Sequence, residues 1–355
     1  MIKQVLVLSG GASKGAFTAG ALKYLLRDKT MDFKAAVGTS TGALAGGPAL
    51  LGEYEYLSNI YGYVSDSDIY KNGPFFKLLN LFLKVGPVAA SMKPLHKLVH
   101  DYYITQGKLD ELKRREKEFV VTTVNVHTGK VEYISSKQYA NGEITAETFI
   151  NGVVASCSEP VFTRPIQIYE HEAGSTSKDT LFYDGGVREF LPFDYAIKKL
   201  AADEIWAIST HPMKTEETEW GNSTKPDKVN LLKALGWTIS LLLNEVERGD
   251  LFRAYAFYRL DRVKARIKEI ADTLTLSPED TAKLIAACED MFPGERAPLK
   301  KLYVITPSKP MNTSLEFDPA IMFTYHESGY LAAEKFFEDL HPEFAETDWM
   351  LSATA

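Results

Sequence analysis

Short runs of aliphatic and β-branched residues alternate with helical stretches through the first half of the chain. The apolar runs at 5–8 and 33–37 predict strands, and the stretches that follow them, at 16–27 and 41–51, predict helices. This alternation is typical of a mainly parallel sheet covered by helices. The sequence therefore predicts an α/β fold.

The rest of the chain continues the pattern and adds a helical segment. Apolar runs predict strands at 119–126, 131–135, 180–183, 204–209 and 302–305, the first two paired, and periodicity predicts helices at 145–157 and 327–340. A polar stretch at 213–227 predicts a loop, and 229–292 has a helical pattern. We expect one domain over 1–355, with its core in 3–210 and 300–340 and a helical insertion at about 229–292.

Charge and composition narrow the classes of function. With 40 basic against 47 acidic residues the formal net charge is −7, so no long-range attraction to nucleic acid is expected. The two cysteines and seven histidines lack metal-ligand spacing, and we expect no metal and no cofactor. No apolar run reaches the length of about 18 residues that a membrane span needs, and the N-terminal run is too short for a signal peptide. The expected location is cytoplasmic or peripheral to a membrane.

A serine lies in the sequence Gly38-Thr39-Ser40-Thr41-Gly42, between a predicted strand and a predicted helix. In a G-x-S-x-G elbow the nucleophile occupies a strained strand-to-helix turn, which requires small flanking residues and exposes the hydroxyl at the carboxyl edge of the sheet. The bare pattern also occurs by chance, with glycines that serve only packing. Its position between strand and helix favours Ser40 as a nucleophile. Gly46-Gly47-Pro48 predicts that the following helix is kinked or shortened.

A glycine loop follows the first predicted strand and consists of Gly10, Gly11, Ala12, Ser13, Lys14 and Gly15. Backbone amides in such a loop bind either a phosphate or an oxyanion. A dinucleotide site is the competing interpretation, because Tyr195 and Lys199 match the Tyr-x-x-x-Lys of short-chain dehydrogenases. However, Phe17 stands where that family has its last glycine, and no acidic residue ends the second strand. We therefore interpret the loop as an oxyanion hole that faces Ser40.

A serine nucleophile needs a group that accepts its proton. Asp184 ends a predicted strand and is followed by Gly185 and Gly186, which allow close approach, although Asp-Gly-Gly is also a common turn. His211 follows the strand at 204–209 and could reach the same edge of the sheet. His326 is a third candidate. Spacing alone leaves both Asp184 and His211 open as the base.

Together these segments resemble the patatin-like phospholipases in content and order. The resemblance rests on 10–15, 38–42 and 184–186 and on Ala155-Ser156-Cys157-Ser158-Glu159-Pro160, and it covers roughly 3–210. It implies a three-layer α/β/α fold related to the α/β-hydrolases, a Ser–Asp dyad without a catalytic histidine, and calcium-independent hydrolysis of lipid acyl esters. By this resemblance Ser40 is the nucleophile, Asp184 the base, and 10–15 the oxyanion loop.

Two positions depart from the family pattern. Ala12 replaces the third glycine of the loop, where the family's backbone suits glycine, and a hole built from the other amides is expected to survive. Glu189 and Phe190 stand where the family usually has asparagine, and we expect them to alter the pocket wall rather than the chemistry. Lys14 matches the family's basic residue, or it is a solvated lysine at a helix start.

Two apolar helices have alternative interpretations. The segment 75–85 either caps an acyl site and contacts a membrane peripherally, or packs in the core. The segment 236–243 either lines the acyl channel or merely packs. The leading hypothesis is a lipid acyl hydrolase acting on a lipid or phospholipid. An acyltransferase or thioesterase that uses the same serine is the alternative, and a nucleotide-binding oxidoreductase is more distant.

Overall fold

The computed structural model describes residues 3–63, 69, 91–160, 162–170, 178–213, 231–289, 297–311 and 317–339. The helix predicted at 75–85 and nearly all of the loop predicted at 213–227 lie outside the described residues.

The described strands form one eight-stranded sheet. They are β1 (Gln4–Leu8), β2 (Ala35–Gly38), β3 (Glu118–Asn125), β4 (Val131–Ser135), β5 (Ile166–Glu170), β6 (Lys178–Asp184), β7 (Glu204–Ile208) and β8 (Lys301–Ile305). Their order is β5-β6-β3-β2-β1-β7-β8, and β4 pairs with β3 off this path. The pairs from β3 through β2, β1 and β7 to β8 are parallel, whereas β4, β5 and β6 pair antiparallel. The sheet is therefore mixed and mostly parallel, as the fold class predicts.

Helices cover both faces of this sheet. They are α1 (Gly15–Lys23), α2 (Thr41–Leu51), α3 (Tyr54–Tyr63), α4 (Lys93–His100), α5 (Lys108–Arg114), α6 (Ser136–Ala140), α7 (Ala146–Ser156), α8 (Phe193–Lys198), α9 (Leu231–Thr273), α10 (Pro278–Glu289) and α11 (Pro319–Glu338). Leu6 and Leu8 of β1 pack with α1, α2, α7 and α11 on one face, and Val5 and Val7 pack with α8 and α9 on the other. Because successive strand residues point to opposite faces, a fully apolar strand such as β1 is buried on both. The predicted three-layer architecture is confirmed.

The strands predicted from sequence are confirmed to within two residues, and the pairing of β3 with β4 is confirmed as well. The predicted helical segment contains α9, which has 43 residues, and α10. The chain then returns to the same sheet, because β8 pairs in parallel with β7. Among the described helices, none has the length and apolar character needed to cross a membrane.

The sequence predicts that α2 is kinked or shortened, and the shortening is wrong, because this helix continues to Leu51 with Pro48 inside it. The glycines before the proline are needed for packing. A Cβ at Gly46 would lie 2.2 Å from the ring of Phe119, and one at Gly47 would lie 2.0 Å from the hydroxyl of Tyr103. Close packing of α2 against its neighbours therefore outweighs the low helix propensity of these residues.

Two glycines set the distance at which α1 and α11 cross. A Cβ at Gly20 would lie 1.8 Å from the carbonyl oxygen of His326, and one at Gly329 would lie 2.0 Å from the carbonyl oxygen of Phe17. Each contact is with backbone, which cannot rotate away as a side chain can. The closing helix α11 is therefore held against α1 by a contact that only glycine permits on either side.

We expect Gly20→Ala to lower the free energy of unfolding by about 1–3 kcal/mol, because the new methyl group forces the two helices apart. Gly249→Ala is the matched control, since Gly249 also lies inside a helix but has nothing within 4 Å of an added Cβ. The control should raise stability by about 0.5–1 kcal/mol through helix propensity. Urea denaturation of both variants measures the difference, and equal stabilities would contradict the proposed close contact.

Candidate active site

The sheet topology brings the ends of two distant strands together. β2 ends at Gly38, which pairs with Val121 of β3, and β6 ends at Asp184, which pairs with Thr123 two residues further along β3. Because β4 pairs with Val120 to Val124 on the opposite edge, β2 and β6 share one edge of β3. β6 runs antiparallel and so delivers its last residue to the carboxyl end of β2. Ser40 is the second residue after the end of β2.

Ser40 has the backbone geometry of a nucleophile elbow. Its φ is 55° and its ψ is −121°, a strained conformation for a residue with a side chain. A Cβ at Gly38 would lie 2.3 Å from the carbonyl oxygen of Gly42, and one at Gly42 would lie 2.4 Å from that of Leu8. Both motif glycines are therefore required by the tightness of the turn. Strain of this kind costs about 1–3 kcal/mol and is concentrated at functional sites.

The segment that follows α7 supports both ends of the site. The Ser40 amide donates to the Ser156 hydroxyl at 2.9 Å, and the Cys157 thiol donates to the Ser40 carbonyl at 3.2 Å. The Asp184 amide donates to the Ser158 carbonyl at 3.0 Å. Burial raises the pKa of the Cys157 thiol well above its usual value, so the thiol keeps its proton and acts as a donor. Three consecutive residues thus tie the serine loop to the aspartate loop.

Asp184 is buried, with 7% of its surface exposed. One carboxylate oxygen accepts a hydrogen bond of 2.7 Å from the Gly186 amide. Burial raises the pKa of Asp184 to about 7, and the Gly186 amide and the neighbouring Ser40 hydroxyl oppose the rise. A Cβ at Gly185 would lie 2.5 Å from the Thr122 carbonyl oxygen, so the Asp-Gly-Gly turn is pressed against β3.

The glycine loop lies directly against the serine. A Cβ at Gly10 would lie 3.2 Å from the Ser40 Cβ. Gly11 has a φ of 141°, and the turn that follows it covers Ala12–Lys14 and leads into α1 at Gly15. The Lys14 amide donates to the Gly11 carbonyl at 3.0 Å. The amides at the start of such a turn precede its first internal hydrogen bond, and they are the donors that an anion can use.

Ala12 stands where the family has glycine, and it adopts the backbone conformation that favours glycine. Its φ is 48°, within the left-handed region, and its side chain lines the cavity beside Ser40. Alanine in this region costs roughly 1–2 kcal/mol. The loop therefore stores backbone strain at a position whose conformation favours glycine.

The other two candidate bases have different partners. His211 lies 3.2 Å from the Lys14 ammonium through Nε2 and 2.5 Å from a Glu247 carboxylate oxygen through Nδ1. Nε2 of His326 lies 2.9 Å from the Ser58 hydroxyl, at the packing of α11 against α3. Neither histidine lines the cavity that contains Ser40. Lys14 is only 1% exposed, so its interpretation as a solvated lysine is wrong.

The residues of the dinucleotide alternative lie at the opposite edge of the sheet. Tyr195 and Lys199 share a surface depression with Lys3, next to the start of β1, and with Glu118, the first residue of β3. The glycine loop lies instead at the carboxyl ends of these strands. The two halves of a dehydrogenase site are therefore far apart.

Glu189 and Phe190 do not have the expected role in the pocket wall. Glu189 is buried, and its carboxylate accepts hydrogen bonds from the Tyr133 hydroxyl and the Asp194 amide. The Phe190 ring packs against Gly10, behind the oxyanion loop. Neither residue is among the described residues that line the cavity. Both residues face the second layer of helices, and the sequence motif does not reveal this orientation.

An apolar cavity opens from Ser40 and Asp184 between α2, α3 and α4. Its walls are mainly aliphatic and aromatic, and they include Leu44, Leu57, Ile60, Leu95, Leu98 and Val99. Glu159 also lines it, and burial together with the nearby Asp184 raises the pKa of Glu159 to about 8. The helix predicted at 236–243 contributes no described side chain to these walls, and its Leu241 and Leu242 are exposed.

Among the residues that the structure describes, no group of three or more His, Cys, Asp or Glu side chains could hold a metal ion.

A comparison with family models gives one match, described as "Patatin-like phospholipase", over residues 6–197. The chain belongs to the patatin-like phospholipase family. The match contains the glycine loop, the serine elbow and the Asp-Gly-Gly turn. Membership of this family supports lipid acyl hydrolase activity in general.

A search of the curated proteins finds no match. Among solved structures, the crystal structure of VipD from Legionella pneumophila is similar at 12% sequence identity, with a TM-score of 0.46, over 95% of this chain and 67% of that chain. This distant likeness carries no argument about the site of the patatin-like protein described here.

The raised pKa of Asp184 predicts a stability effect. The folded protein binds the Asp184 proton more tightly than the unfolded chain does, so the free energy of unfolding falls as the pH rises towards about 7 and the buried carboxyl ionises. Asp184→Asn removes this cost. We expect the variant to be more stable than the native protein at pH 8, on the order of a few kcal/mol, with the difference shrinking towards pH 4.

Denaturant unfolding at pH 4, 6 and 8 measures this effect. The exposed Asp272→Asn on α9 is the control, and it should show no comparable gain. A stability difference for Asp184→Asn that stays constant over this range would show that burial does not shift the Asp184 pKa.

Proposed function

We propose that this protein hydrolyses carboxylic esters of lipids, with Ser40 as the nucleophile and Asp184 as the base. The observation that carries the proposal is that Ser40, on its strained elbow, and the buried Asp184 carboxyl line the end of the same apolar cavity. Family membership supports the general activity, and this geometry supports the assignment of roles to residues.

Asp184 accepts the Ser40 proton as the serine oxygen attacks the ester carbonyl. An ordinary aspartate is a weak base near neutral pH, and burial corrects this by raising the pKa of Asp184 to about 7. The resulting oxyanion forms at the turn that begins at Gly11, where the amides before its first internal hydrogen bond can donate to it. As the tetrahedral intermediate collapses, protonated Asp184 donates its proton to the leaving alkoxide, and an acyl-serine remains. The ionised Asp184 then accepts a proton from the attacking water and returns it to the Ser40 oxygen as the acid leaves.

The cavity favours a long apolar acyl group over a polar one. Its walls along α2 begin at Thr41 and continue through Leu44 to Pro48, one face of the helix that starts directly after Ser40. Seven residues of α-helix span roughly 10 Å. An acyl chain bound along this face therefore has its carbonyl carbon at Ser40 and its tail among Leu44, Leu95 and Val99.

Substitution of either dyad residue tests the assignment. We expect Ser40→Ala and Asp184→Asn each to lower kcat for a p-nitrophenyl acyl ester by at least about a thousandfold, because each removes one half of the proton transfer. A fluorophosphonate probe should label the native protein and leave Ser40→Ala unlabelled. Ser58→Ala, which removes a serine that bonds only the distant His326, should keep kcat within about twofold. Near-native turnover by Ser40→Ala would refute the proposal.

The pH dependence of kcat/KM gives an independent test. Because Asp184 must be unprotonated to act as a base, activity should rise through an apparent pKa near 7 and be lost as the pH falls below it. Initial rates between pH 5 and 9 with a soluble ester locate this limb. Full activity at pH 5 would be inconsistent with Asp184 as a buried base.

A further inference from the structure

Lys14 is a buried cation inside the oxyanion loop. Its side chain is 1% exposed, and lysine is almost never buried to this extent without a partner. Its ammonium lies 3.2 Å from His211 Nε2, and His211 Nδ1 lies 2.5 Å from a carboxylate oxygen of Glu247 on α9. Glu247 is itself 2% exposed. A chain of hydrogen bonds therefore runs from Lys14 in the glycine loop, through the His211 ring, to Glu247 on α9.

Elementary hydrogen-bond chemistry fixes the protonation of this ring. An ammonium group can only donate, so Nε2 of His211 must have a free lone pair and accept from Lys14. The ring proton then lies on Nδ1, which donates to the Glu247 carboxylate. His211 is therefore neutral, and it separates one buried positive charge from one buried negative charge. Glu247 is thus joined to Lys14 through the imidazole.

The same carboxylate also holds the loop that follows β7. The second oxygen of Glu247 accepts a hydrogen bond of 2.5 Å from the Ser209 hydroxyl. The next residue, Thr210, donates from its amide to the Ser9 hydroxyl at 3.0 Å and from its hydroxyl to the Gly10 carbonyl at 2.7 Å. The oxyanion loop is thus fixed from two sides by contacts that lead back to Glu247.

We propose that Glu247, acting through His211, is a positioning residue of the active site that sets the place of Lys14 and of the loop amides beside Ser40. This inference rests on the proposed function of Ser40. Without its carboxylate, the Nδ1 proton of His211 and the Ser209 hydroxyl would lose their acceptor, and the His211 ring and the loop contacts of Thr210 would shift with them. A shift of about 1 Å at donors that meet a developing oxyanion costs on the order of a hundredfold in rate.

Steady-state kinetics on a soluble acyl ester test the proposal. We expect Glu247→Ala to lower kcat by about 10–100-fold with KM within about threefold, because the oxyanion forms only in the transition state. Glu247→Gln keeps an acceptor for the Nδ1 proton and should recover a large part of that loss. The double variant His211→Phe/Glu247→Ala should be no slower than the slower single variant, because the two residues act through one chain of bonds.

Glu245→Ala is the matched control, since it removes an exposed glutamate two residues away on the same helix. It should keep kcat within about twofold. Equal kcat values for native protein and Glu247→Ala would overturn the proposal, as would additive losses in the double variant. Thermal unfolding of each variant separates a change in rate from a loss of folded protein.

Nitrogen-15 NMR of histidine-labelled native protein tests the chain of bonds without any activity. We expect His211 at pH 8 to have a protonated Nδ1 and an unprotonated Nε2. The opposite tautomer would overturn the proposal. A native protein without esterase activity would refute the proposed function instead, and the NMR result would still decide whether Glu247 and Lys14 are joined through His211.

Discussion

The active site depends on two strands sharing one edge of β3. β2 occupies the first half of that edge in parallel, and β6 occupies the second half in the opposite direction. Because β2 and β6 run in opposite directions along this edge, their carboxyl ends face each other. A residue just beyond the end of β2 therefore lies close to the last residue of β6. Ser40 and Asp184, 144 positions apart in sequence, therefore meet head to head without any long loop.

This arrangement forces the Asp184 carboxyl into the interior, which suits the role of base proposed for it. A carboxylate at a strand end facing another strand end has little access to water, so desolvation dominates its pKa. The same desolvation destabilises the folded protein once Asp184 ionises. Backbone strain at Ser40 and Ala12 acts in the same direction. The site therefore contains several features that lower the free energy of unfolding, and burial of the continuous apolar layers on both faces of β1 offsets them.

Much of this could be predicted from sequence, because the decisive signals are local. Ser40 and Asp184 are each flanked by glycines that the structure shows to be sterically required, and the strands around them are short apolar runs. What sequence could not show depends on packing between distant segments. Helix α2 continues through Pro48 because Gly46 and Gly47 fit against Phe119 and Tyr103, and no local propensity records that fit.

The support of the site was missed for the same reason. Ser156 and Cys157 belong to a segment that marks the family, yet their hydrogen bonds to Ser40 depend on where α7 ends relative to β2. Glu189 and Phe190 lie shortly after the motif but turn away from the cavity, since Asp250 of α9 accepts hydrogen bonds from the amides of Phe190 and Leu191. A motif gives the residues that react, and tertiary structure gives those that hold them.

Helix α9 therefore has a closer relation to the candidate site than its position in sequence indicates. The matched family segment ends at 197, well before this helix begins at Leu231. Yet one turn of α9 supplies both Glu247, which reaches the glycine loop through His211, and Asp250, which holds the chain beyond the Asp-Gly-Gly turn. Two buried acids three residues apart lie on one helix face and address the two loops separately. A core that ended at 197 would contain Lys14 and the glycine loop but neither His211 nor Glu247, and so the residues of the candidate site and the residues that hold its loops belong to different parts of the chain.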